Sequence, residues 1–103
     1  MAQLFSLGHT TRMDDGTHFL VTELERLLSL PLGSKSELEA WYAESERVQS
    51  ELTGRYKDLD YPHEVWHFLA DADIRARDAG YRQYQDKIMT DYIRRVRDES
   101  RVA

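Results

Sequence analysis

The sequence predicts an all-α fold, a small bundle of three to four helices with a flexible amino-terminal arm. Apolar residues recur at spacings of three and four in successive stretches, capping and breaking residues separate those stretches, and no segment alternates as a half-buried strand would. A chain of 103 residues with 41% hydrophobic and 32% charged residues has the length of one domain and the apolar content to fold. We read residues 1–16 as the flexible arm and 17–103 as a single helical domain.

The arm lacks sustained periodicity and ends in Asp14-Asp15-Gly16, a turn-forming triplet. Thr17 is then the expected cap of a first helix, in which Leu20, Leu24, Leu27 and Leu28 fall on one side until Pro31 and Gly33 stop the run. Its Leu24-Glu25-Arg26-Leu27-Leu28 string has the LxxLL form used by groove-docking helices, a form that leucine-rich amphipathic helices also produce routinely. Ser34 and Glu37 have the spacing of a capping box and open a second helix, with Leu38, Trp41, Tyr42, Val48 and Leu52 inward and glutamates outward. Gly54 supplies its expected left-handed carboxyl cap. Asp60 and Pro62 are the expected start of a third helix, whose apolar stripe is Val65, Phe68, Leu69, Ala72 and Ala76. Gly80 ends or kinks it. Tyr81, Tyr84, Ile88, Tyr92 and Val96, with Ile93 beside them, then resume a stripe down to the arginine-rich end. Asp71 with Arg75, Asp73 with Arg77, Asp78 with Arg82 and Asp91 with Arg95 each place the acid four residues before the base, the favourable order for helix ion pairs.

Charge and composition exclude several function classes. There is no cysteine, so disulfides and thiolate metal sites are ruled out and the cytoplasm is the expected compartment. Net charge is −5, which disfavours a nucleic-acid binder. The arginines at 94, 95, 97 and 101 are interrupted by acids and suit a helix carboxyl end. The first segment, Met1 to Gly8, has no basic head and too short an apolar run for a signal peptide or a membrane span. We expect no membrane partner and no cofactor.

One string has a catalytic form. His63-Glu64-Val65-Trp66-His67 is an HExxH, and its extension to Asp73 resembles the metzincin pattern of zinc peptidases, with Asp73 at the third-ligand position. Ile88-Met89-Thr90-Asp91-Tyr92 is similar to that family's methionine turn. Membership would imply a zinc held by His63 and His67 with Glu64 as general base. The family breaks its zinc helix at a glycine, however, and here the position is Ala70 in an unbroken helical pattern. The histidines also fall nearly opposite the apolar stripe, at the expected surface. We therefore read the motif as a coincidence and assign neither catalytic nor metal-ligating residues.

Aromatic residues point elsewhere. Two tryptophans and six tyrosines exceed what three short helices hide, and such side chains are enriched at protein interfaces. Trp41, Tyr42, Trp66, Phe68, Tyr81, Tyr84 and Tyr92 are the candidate partner-binding residues. The segment Trp66-His67-Phe68-Leu69-Ala70-Asp71-Ala72-Asp73-Ile74-Arg75, followed by Tyr81-Arg82-Gln83-Tyr84-Gln85, resembles the QslA type of small helical anti-activators of quorum-sensing transcription regulators. That resemblance implies a dimeric helical protein that blocks dimerisation of a LuxR-type regulator. The expected function is thus a non-enzymatic bacterial or phage-type regulator or inhibitor, a homodimer that occludes a partner protein's surface. The alternatives are a zinc-dependent hydrolase and an acidic inhibitor that mimics nucleic acid.

Overall fold

A computed structural model describes residues 13–100. Its order is α1 (Asp15–Ser29), α2 (Lys35–Thr53), α3 (Glu64–Ala70), α4 (Ala72–Arg77) and α5 (Ala79–Ser100). No strand occurs among the described residues, so the chain is an all-α bundle. Residues 1–12 of the expected 1–16 arm lie outside the described residues, and its last two, Asp15 and Gly16, belong to α1 instead.

The long helices begin and end for identifiable reasons. Asp14 caps α1, its carboxylate accepting the Thr17 amide at 2.7 Å, so the helix starts three residues before the Thr17-capped position predicted. Aspartate is the better cap because a charged acceptor also meets the helix dipole. Helix α1 stops at Ser29 because Leu30 precedes Pro31 and takes extended backbone, φ −80° and ψ 141°. Ser34 caps α2 by accepting from the Glu37 amide at 3.1 Å, while the Glu37 carboxylate reaches back to the Gly33 amide at 2.7 Å. Gly54 follows α2 with φ −110°, so the expected left-handed cap is absent; the Tyr56 amide bonds instead to Glu51 O at 2.9 Å.

The third predicted helix is three pieces. Asp60 does not cap it. The amides of Val65 and Trp66 bond at 3.0 Å to the carbonyls of Pro62 and His63, a tight turn leading into α3. The chain breaks at Asp71, where ψ is 22°, and again at Asp78, where φ and ψ are −135° and 101°. Asp78 Oδ1 accepts the Tyr81 amide at 3.0 Å and so caps α5, leaving Gly80 inside its first turn rather than at a break.

Leu20, Val21, Leu24 and Leu27 of α1 meet Trp41, Val48 and Leu52 of α2, and Val65, Phe68 and Leu69 of α3 in one core. Helix α5 crosses α1, α3 and α4 and adds Met89, Tyr92 and Ile93. Glu23 and Arg26 of α1 interlock with Glu44 and Arg47 of α2, with Arg26 to Glu23 at 2.9 Å and Arg47 to Glu44 at 3.4 Å. Of the four predicted i,i+4 ion pairs, Asp73 with Arg77 forms at 3.9 Å. Elsewhere Arg82 pairs with Asp86, Asp91 with Lys87 and Arg94, and Arg75 turns inward. No described helix is long and apolar enough to cross a membrane.

Candidate functional site

The break at Asp71 exposes the carbonyls at the carboxyl end of α3, which lack partners in the next turn. Three side chains take them in turn. Arg75 Nη1 donates to Phe68 O at 2.7 Å, Ser45 Oγ to Leu69 O at 2.8 Å, and the Tyr42 hydroxyl lies 3.0 Å from Ala70 O. Tyr42 also accepts from the Asp73 amide at 3.0 Å and lies 2.9 Å from Asp73 Oδ1, so it bridges the end of α3 and the start of α4. Its single proton serves one of the two oxygens at a time. Hydrogen bonding to Tyr42 holds the Asp73 carboxyl below its ordinary value, and burial raises Tyr42.

Arg75 is 3% exposed, an arginine where sequence reading places a helix surface. Ala76, predicted to be apolar-facing, is exposed in its place. The guanidinium lies 4.7 Å from the Trp41 ring and 4.1 Å from the Phe68 ring, and Nη1 donates again to Gln85 Oε1 at 2.6 Å. Its Nη2 has no acceptor among the described residues. Burial brings Arg75 down to about 10, against the pull of Asp86, Tyr42 and Asp71. Gln85 then passes the network outward, donating to the Tyr81 hydroxyl at 3.0 Å and to Asp71 Oδ2 at 3.3 Å. Tyr81 donates to the same Asp71 oxygen at 2.6 Å, a bond that raises Tyr81 above its ordinary value.

This buried network supports a cleft between α3 and α5. About 210 Å³ in volume, it is lined by Glu64, His67 and Phe68 on one side and by Tyr81, Tyr84, Gln85, Ile88 and Met89 on the other. Tyr84, 60% exposed, stands at its edge with its ring 6.2 Å from that of Tyr81. The cleft exists because the buried face of α5 is Gln85, Met89, Tyr92 and Ile93, one residue round from the predicted stripe of Tyr81, Tyr84 and Ile88. One residue is 100° of helix, enough to leave that apolar edge beside the core instead of in it.

The candidate aromatics divide accordingly. Trp41 and Phe68 are interior, with rings 5.5 Å apart and the Trp41 indole donating to Leu27 O at 3.0 Å. Tyr92 is 8% exposed and also belongs to the core. Tyr42 is committed to the α3–α4 seam. Trp66, half-buried, leans on Tyr61 at 6.2 Å, away from the cleft. Tyr81 and Tyr84 line the cleft together on the α5 side, opposite the buried Phe68. His63 and His67 are exposed, with ring centres 4.6 Å apart.

The chain matches no protein-family model, no curated protein and no solved structure. Functional reading therefore starts from the cleft. Its walls are largely aromatic and aliphatic, with Tyr81 and Gln85 bonded to each other and Glu64 and His67 on the opposite side, and its geometry suits the capture of an apolar side chain. The sequence reading missed Arg75 and Gln85. The one available signal was that both fall on the inward side of helices whose apolar stripes are otherwise sparse.

Proposed function

We propose that this chain is a non-enzymatic protein-binding regulator or inhibitor that acts by covering a surface of another protein, with the α3–α5 cleft as its docking groove. The carrying observation is the apolar edge of α5, where Tyr84 is 60% exposed beside Tyr81 and Ile88. Tyrosine contributes contact area at low entropic cost and retains a polar tip, which favours it at interface centres. An amphipathic helix of the partner suits such a groove, its anchoring side chain entering between His67 and Ile88. A more particular role as a homodimeric anti-activator of a transcription regulator rests on the sequence resemblance.

Quantitative mass spectrometry of proteins captured by the wild-type chain and by Tyr84→Ala tests the reading. A specific partner should be retained by the wild type and lost about tenfold or more with the variant. Capture indifferent to Tyr84→Ala and to Ile88→Asp would rule the groove out.

The second reading is a zinc-dependent hydrolase, favoured by the pairing of His63 and His67 at 4.6 Å. Peptide hydrolysis that disappears both on chelation and in Glu64→Gln would select it. The third, an acidic mimic of nucleic acid, is weakened because Glu23 and Glu44 are engaged by Arg26 and Arg47.

A further inference from the structure

We propose that His63 and His67 form an open two-histidine clip for a borderline divalent transition-metal ion, Zn²⁺, Ni²⁺ or Cu²⁺, independent of any catalysis and placed at the rim of the docking groove, whose wall His67 shares. His63 stands at the amino-terminal boundary of α3 but keeps right-handed helical backbone, φ −58° and ψ −29°. It is therefore in helical register with His67, four residues on, and the two side chains lie one above the other. Both are exposed, and among the described residues no hydrogen bond or ion pair engages either imidazole.

The distance between the rings is the decisive quantity. A metal ion sits about 2.0–2.1 Å from a coordinating imidazole nitrogen, hence about 3.2 Å from the ring centre. Two imidazoles on one ion, at angles between about 90° and about 109°, have centres about 4.5–5.2 Å apart. The observed separation is 4.6 Å, with the rings at 89° to each other. Aiming both nitrogens at one ion then requires rotation of the side chains out of this edge-to-face contact.

Among the described residues, no third histidine, cysteine, aspartate or glutamate completes a group around this pair. The clip thus supplies two ligands and leaves the other positions to water or to donors from another molecule. Such a site is exchangeable, with affinity in the order expected for imidazole donors, copper above nickel and zinc.

Calorimetric titration of the tag-free chain with ZnCl₂, NiCl₂ and CuCl₂ in a non-coordinating buffer tests this. The expected result is one ion per chain at micromolar affinity, weakened about tenfold or more in either His63→Ala or His67→Ala, since each leaves a single monodentate imidazole. His18→Ala, an exposed histidine of α1, should bind as the wild type does. His67→Gln, which keeps a polar side chain of similar size, replaces the alanine variant if circular dichroism shows that one unfolded. Unchanged affinity in His67→Ala or His67→Gln, or only millimolar binding in the wild type, would overturn the proposal. Neither result depends on whether the chain captures a protein or cleaves a peptide.

Discussion

Arg75 Nη1 donates to the Phe68 carbonyl at 2.7 Å while the same guanidinium lies 4.1 Å from the centre of the Phe68 ring. A single side chain thereby closes the end of α3 with a polar contact and covers its apolar neighbour. Substitution by methionine would keep the apolar contact and remove the donors from Phe68 O and Gln85 Oε1. We expect Arg75→Met to lower unfolding free energy by about 2–4 kcal/mol, read from urea denaturation, because buried acceptors left without donors cost more than the bonds themselves contributed.

Ser45 gives a smaller and more local effect. Its fully buried hydroxyl serves Leu69 O and accepts from Gln49 Nε2 at 3.0 Å. Ser45→Ala should cost about 1–2 kcal/mol and speed amide hydrogen exchange in α4 before that in α1.

Gly16 is buried where α1 passes the segment after α2. A Cβ built there would lie 3.1 Å from Tyr56 Cδ1 and 3.3 Å from Leu59 Cδ1. A methyl group requires those side chains to shift by a few tenths of an ångström, and a branched side chain requires more. Gly16→Leu should therefore lower the urea midpoint by an amount equivalent to about 1–3 kcal/mol, with Gly16→Ala far milder.

Alkaline pH should remove the stability that the tyrosines contribute. Tyr42, Tyr61 and Tyr92 are raised above the ordinary tyrosine value mainly by burial, and Tyr81 mainly by its bond to Asp71. The folded chain holds these protons more tightly than the unfolded one. Their contribution is complete below the ordinary 10.0 and is lost as pH rises through the folded values. Arg75, brought down to about 10, works in the opposite direction, since the cost of burying its charge is relieved above that pH. Tyr92→Phe isolates the tyrosine part: above about pH 10 its urea midpoint should fall less steeply than that of the wild type.

Much of the bundle was legible because its helices are amphipathic and punctuated. Leu20, Leu24 and Leu27, the Ser34 cap, Trp41, Val48 and Leu52 all occupy the places their spacing implies. The break at Asp71 was not legible. Nothing local marks it, since two of the carbonyls it frees are satisfied by Tyr42 and Ser45, which are remote in sequence. Arg75 was hidden by its charge, which points to solvent although its place on the helix is inward, where two aromatic rings and a glutamine hold it. At the candidate site, the aromatic surplus identified Tyr81 and Tyr84 but also Trp41, Phe68 and Tyr92, because composition does not distinguish a core ring from a surface one. The exposed positions of His63 and His67 followed directly from the helical wheel.

The caps that Tyr42 and Ser45 place on the end of α3 also bear on the order of assembly. Segments of seven and six residues are too short to persist as helices by themselves, since nucleation is costly and few bonds follow it. The corner they form acquires its shape only when it meets a helix synthesised earlier, which acts as a template for the turn. The groove beside it is consequently a late product of folding, absent from any intermediate in which that template has not yet docked.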